Sequence, residues 1–301
     1  MDEIHAANTE KRWVALSSVI AALLLTGTKL LVGVLSGSIG ILAEAAHSGL
    51  DMLAAAVTYL AVRASSKPAD REHAYGHGKV ENLSALFETF LLFVTCIWIV
   101  YEAGKRLLGY EEVHVVASGW TFGVIILSIA VDVTRSRALM KVAKKHNSQA
   151  LEADALHFST DIWSSCVVLI GLGCVWLSGR LGLPWLQKAD SIAALGVAVI
   201  VVGVCIRLGR KSVDDLIDTV PQDFQDKLRM IAKKSPGVVD VSRVRVRRSG
   251  PDLFADVTIV MICGTGLEAG HFAADELERG AKAAYPRIDV VVHVEPEPPP
   301  K

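Results

Sequence analysis

The sequence predicts an all-α, six-helix transmembrane bundle followed by a small C-terminal α+β domain on the cytoplasmic side. Three observations predict it. Hydrophobic residues make up 51% of the 301-residue chain and gather into long runs, whereas a soluble domain of this length carries fewer. The connections between the runs alternate between base-rich and base-poor. Beyond about residue 212 the long runs give way to amphipathic helices and short alternating strands.

A span needs about 20 apolar residues. The runs fall at 13–35, 39–62, 83–108, 117–139, 154–178 and 190–210. Lys11 and Arg12 precede the first, and Arg63, Lys67, Arg71 and Lys79 separate the second from the third. Arg135, Arg137, Lys141, Lys144 and Lys145 end or follow the fourth, and Arg207, Arg210 and Lys211 close the sixth. On the other side, SGSIG and GYEEVHVVAS hold no base, and SGRLGLPWLQK holds two. The positive-inside rule therefore puts both termini in the cytoplasm. The first run has no A-x-A site after it, so it is expected to stay as a span. The expected location is an inner, cytoplasmic membrane, crossed several times.

In the tail, VPQDFQDKLRMIAKKSPG has helical apolar spacing and a Pro-Gly stop. VVDVSRVRVRRSG and LFADVTIVMI alternate as half-buried strands do. GLEAGHFAADELERGAKAAYP reads as a helix, and IDVVVHVEP as a final strand. Helix, strand, strand, helix, strand is the order of a ferredoxin-like α+β domain. The expected domains are 1–211 for the spans, 212–295 for the tail domain and 296–301 for a disordered end rich in proline.

Charge narrows the partners. The formal net charge is −1, from 31 basic and 32 acidic side chains, which argues against nucleic acid as a ligand and leaves the lipid bilayer. The five cysteines form no C-x-x-C pair and sit mostly in apolar runs, where cysteine acts as a small hydrophobe. There is no H-E-x-x-H, no G-x-S-x-G and no Walker loop.

One pattern resists the apolar background. The second run holds His47 and Asp51, and the fifth holds His157 and Asp161, each pair four residues apart. On a helix, positions i and i+4 share a face. Two such helices in contact would bring two nitrogens and two oxygens to one point, a set that suits tetrahedral Zn2+. An aspartate at a span centre costs about 2.5–3.5 kcal/mol on insertion scales, and a bound dication offsets that cost. Small neighbours (Ala45, Ala46, Ser48, Gly49; Ser159, Thr160, Ser164, Ser165) favour close approach of the two helices. A structural His–Asp hydrogen bond is the plainer explanation of either pair alone; the repetition favours a ligand set.

With these pairs, with KPADREHAYGHGKVENLSALFE after the second run, and with HNSQALEADALHFSTD leading into the fifth, the chain resembles the cation diffusion facilitators, transporters of zinc and related divalent metals. The resemblance covers about residues 12–295. It implies six spans, a ferredoxin-like cytoplasmic domain, a homodimer, and export of metal in exchange for protons by alternating access. His47 at the first ligand position is similar to the zinc-preferring members. Asp70, His73 and His77 match a second, cytoplasmic metal site of some members, with solvated loop histidines as the alternative. His271, His293 and Glu295 match part of a tail site, although Ser242 and Thr258 stand where two of its histidines would be. Any metal in loop or tail would be structural or regulatory. Lys79 resembles a charged residue that joins protomers at the membrane face, with Asp218 as its partner.

The expected activity is thus a Zn2+/proton antiport in which neutral imidazole and ionised carboxylate hold metal, and protons displace it. The alternatives are an exporter of Fe2+, Mn2+ or Cd2+, or a membrane-embedded zinc hydrolase with Glu44 or Glu88 as base. A transporter, not an enzyme, is the expectation, because protein groups can fill every position of the site.

Overall fold

The computed structural model describes residues 2–37, 39–107, 119–181, 186–219 and 222–298. Its helical part comprises α1 (Asp2–Ser36), α2 (Ile39–Ser65), α3 (Lys79–Leu107), α4 (Gly119–His146), α5 (Gln149–Leu181) and α6 (Leu186–Leu216). The tail comprises α7 (Gln222–Lys234), β1 (Val238–Ser249), β2 (Asp252–Met261), α8 (Leu267–Ala284) and β3 (Ile288–Pro296). Residues 108–118 and 182–185, which hold all of GYEEVHVVAS and part of SGRLGLPWLQK, lie outside the described residues, as do 299–301 of the expected disordered end.

The helices outrun the apolar runs that predict them. α1 starts at Asp2 rather than near 13, and α6 continues to Leu216. Apolar length sets how much of a helix lies in hydrocarbon, not where the helix stops. The polar extensions are paired: Lys145 and His146 reach Glu10 at 2.6 and 2.8 Å, and Lys211 reaches Glu152 at 2.6 Å. Among the described residues, α1, α2 and α3 carry stretches apolar and long enough to cross a membrane. Leu24, Leu35, Leu60, Phe90 and Trp98 are exposed large hydrophobics on these walls, the expected state of a lipid-facing surface.

Packing groups the helices. α1, α2, α4 and α5 share a core in which Ala15, Ala55, Val62, Leu139, Leu151 and Phe158 are buried. α3 and α6 share another, built from Leu92, Cys96, Ala198, Val201 and Cys205. Two of these cysteines are thus packing residues. The α4–α5 joint is only Asn147 and Ser148, with Asn147 at φ 51, a left-handed turn that asparagine tolerates better than most side chains.

The tail is a separate unit, Val213–Lys301, and the segment Pro68–Lys79 groups with it. The sheet order is β1-β2-β3, with β1 and β2 antiparallel and β2 and β3 parallel. The β2–α8–β3 crossover is the connection a parallel pair requires. Leu228 and Ala232 of α7 and Ala273, Leu277 and Ala281 of α8 pack on Val241, Val257, Ile259 and Val290 of the sheet. This is the small α+β domain expected from the alternation of the tail. Pro68–Lys79 is fixed to the β1–β2 hairpin: Tyr75 meets the Phe254 ring edge-on at 5.1 Å, and the Arg247 guanidinium lies 3.5 Å from the Tyr75 centroid. Gly78 lies so close to Ser249 that a Cβ there would collide with the serine carbonyl.

Candidate metal centre

α2 and α5 pack against each other, and that contact brings the two His–Asp pairs together. His157 Nε2 lies 3.3 Å from Asp51 Oδ1 and 3.6 Å from Asp161 Oδ2. The ligand atoms of Asp51, His157 and Asp161 all fall within 4.8 Å of one another. His47 Nε2 is 4.0 Å from Asp51 Oδ1 and stands at the rim, 41% exposed against 7% for His157. Asp161 Oδ2 is buried without a hydrogen-bond partner, so a lone-pair donor is free toward the group. Two carboxylate oxygens beside an imidazole nitrogen are a donor set for a divalent cation.

Polar residues that the repeated His–Asp spacing did not single out surround this group. Asp154 is fully buried and accepts from Ser18 at 3.4 Å. Arg135 donates to the same Ser18 hydroxyl at 3.0 Å, reaches Asp132 at 3.4 Å and stacks 3.6 Å from the Phe158 centroid. Asp132 and Arg135 are therefore an intrahelical ion pair, with Arg135 also held by α1 and α5. Glu88, buried in α3, accepts a hydrogen bond from Thr58. On α1, Lys29 pairs with Glu44 at 3.2 Å and donates to Ser48 Oγ at 2.8 Å; Glu44 has a partner beyond solvent. Asp154 stands three residues before His157, as Glu44 does before His47. The helical period that reveals the ligand pairs holds this signal too.

The loop residues also meet. Asp70 lies 3.3 Å from His73 Nδ1 and 3.3 Å from His77 Nε2, and the two imidazole rings are 4.4 Å apart. The backbone N–H groups of Glu72 and His73 donate to Asp70 Oδ1 at 3.0 and 2.7 Å. The His73 N–H in particular holds the Asp70 carboxyl below the ordinary carboxylate range. Gly76, at φ +74, turns the chain between the two histidines. The tail residues do not converge in the same way. His293 is 3.6 Å from Glu295, and Ser242 donates to Glu295 at 3.4 Å, while His271 sits by Asp275 at 3.7 Å. Among the described residues no group of three ligands forms in the tail. Lys79 pairs with Asp218 at 2.8 Å within one chain.

A long-helix unit enclosing a buried acid–imidazole group, joined to a small α+β domain, defines a polytopic membrane protein of the metal-handling type. Residues 15–217 match the cation efflux transmembrane domain, and residues 220–297 match the cation efflux protein cytoplasmic domain. The chain belongs to the cation efflux family. It is 29% identical over 297 residues to the cation-efflux pump FieF of Salmonella paratyphi A, covering 98% of this chain and 95% of that one. FieF of Salmonella newport strain SL254 is equally similar, 29% over 297 residues with the same coverage. Among solved structures, CzrB is 30% identical over 26% of this chain and 99% of its own, with a TM-score of 0.25. The MamM cytoplasmic domain in its nickel form is 23% identical over 26% of this chain and all of its own, also with a TM-score of 0.25. The protein is a cation efflux transporter and not an enzyme.

Proposed function

We propose that the chain exports Zn2+ from the cytoplasm in exchange for protons, with His47, Asp51, His157 and Asp161 as the transport site. The observation that carries this is the convergence of Asp51, His157 and Asp161 within 4.8 Å, from two helices, inside the helical unit. Imidazole and carboxylate bind metal only when deprotonated, so the same atoms exchange a dication for protons. Rocking of helices about a fixed site gives access to each face in turn. The base-rich connections support cytoplasmic termini, and the cytoplasmic-domain match supports a homodimer. The domain limits 1–211, 212–295 and 296–301 follow the change in sequence pattern near 212. The Asp70, His73 and His77 group serves as a separate, regulatory metal site. His271, His293 and Glu295 act only where a second protomer completes them.

A second reading has its own support. The tight group offers two oxygens and one nitrogen, with His47 at the rim, a harder set that also suits Fe2+ or Mn2+. Proteoliposomes loaded with a pH dye decide between the two. Zinc-driven proton movement exceeding that with Fe2+, Mn2+, Cd2+ or Co2+, and absent in His157→Ala, is expected. Equal response to Mn2+ overturns the zinc assignment, and metal uptake without proton movement overturns antiport.

A further inference from the structure

Glu44, His47, Ser48 and Asp51 follow at three- and four-residue steps along α2 and form one stripe. One end of the stripe meets α5, where Asp51 lies 3.3 Å from His157. The other end meets α1. There Lys29, only 4% exposed, donates to Ser48 Oγ at 2.8 Å and pairs with Glu44 Oε2 at 3.2 Å. Thr26, on the same helix, donates to the Ser48 carbonyl at 2.9 Å and fastens the two helices at this point. A buried ammonium is expensive to keep, and packing alone is served as well by leucine or methionine. The position of the charge is its distinguishing feature: it sits on the stripe that carries two of the four ligands.

A carrier must hold its cargo firmly enough to load and loosely enough to unload. Each added carboxylate tightens a metal site, and Glu44 is a spare carboxylate one turn from His47. Its side chain is 52% exposed, so the Lys29 pair is the restraint described for it. Resting on the reading that this site carries the metal, we propose that Lys29 is a resident competitor of the transported cation. Its fixed charge opposes the incoming dication, limits how tightly the site holds metal, and keeps Glu44 out of the ligand set. Lys29 is a positioning residue and does not itself bind metal.

The test is zinc transport by the full-length protein in proteoliposomes, read as KM and maximal rate. Lys29→Met is expected to lower KM about tenfold, the low end of what a unit charge facing a dication gives when solvent screens the pair, and to lower the maximal rate because release slows. Lys29→Gln removes the charge but keeps a donor for Ser48, and stands in where the methionine variant fails to fold. Lys29→Arg keeps the charge and is expected to hold KM close to wild type. In Lys29→Met/Glu44→Gln, KM returns toward wild type; a KM that stays low overturns the part assigned to Glu44. A KM that rises or stays unchanged on loss of the charge, or an arginine variant that behaves like the methionine one, makes Lys29 a packing residue and overturns the proposal. His157→Ala is assayed alongside. Wild-type transport by that variant sinks the ligand assignment itself, whereas its silence together with an unmoved KM in Lys29→Met sinks only the competitor.

Discussion

At His157 one imidazole nitrogen faces two carboxylates, Asp51 at 3.3 Å and Asp161 at 3.6 Å. Removing any of the three opens the proposed four-ligand set and weakens its hold on a dication. His157→Ala or Asp161→Ala is expected to reduce zinc flux to background while the purified protein keeps its helical circular dichroism. His47 stands further out, so its substitution tests selectivity more than binding. His47→Asp makes the set harder, and competition assays are expected to show Mn2+ gaining on Zn2+; an unchanged ranking refutes this. In the loop, two backbone N–H groups hold Asp70 and depress its folded pKa. A depressed carboxylate contributes to its turn above the ordinary range and loses that contribution as pH falls through the lowered value. The turn is therefore expected to persist at mildly acid pH. Asp70→Asn still offers an oxygen to both N–H groups but gives up a charge, so loop zinc affinity should fall while amide exchange of residues 70–73 is unchanged. The His–Asp pairs were legible because a four-residue step is visible in any helix. Lys29 was not, since a single charge in another span has no periodic partner. Asp154, three residues before His157, lies on the same helical period, but a lone acid at that step is as common on a structural helix face.

Elements succeed here where one pattern decides them. Long apolar runs and alternating strands place the helices and the three strands, and helix ends are missed because polar turns continue past the apolar stretch. Those polar turns hold the bundle together. Lys11 and Glu81, 1% and fully buried, pair at 2.8 Å between α1 and α3. Ser65 adds a donor to Glu81 at 2.9 Å, and Ser148 adds another. Lys11→Met leaves that carboxylate without its cation and is expected to cost about 3–5 kcal/mol, read as a lower unfolding temperature in detergent. Lys11→Met/Glu81→Leu should recover most of it. The loop–hairpin contact rests on backbone proximity instead. Gly78→Ala drives a methyl into the Ser249 carbonyl, so amide exchange in 68–79 should rise, with Tyr75→Ala, which loses the Arg247 stack, giving a milder increase. Sequence shows glycines in this loop as bends. Only the fold distinguishes Gly76, which turns the chain, from Gly78, which lets two backbones touch.

For the whole molecule, composition was enough to separate a membrane unit from a small α+β unit. It was not enough to assign Pro68–Lys79, which lies between two spans in the chain and groups with the tail in space. It could not decide the tail ligands either. His271 is on α8 and His293 on β3, and spacing along a chain says little about distance across a domain. If the tail pairs two protomers, light scattering in detergent is expected to give twice the mass of one chain, and a monomer would refute the homodimer. The joint between α4 and α5 has a further consequence. Only Asn147 and Ser148 separate the two helices. If carrying metal tilts the Asp161-bearing rod, that two-residue joint and the Arg135 guanidinium seated on Phe158 would tie its neighbour to the same movement, like the arms of one crank.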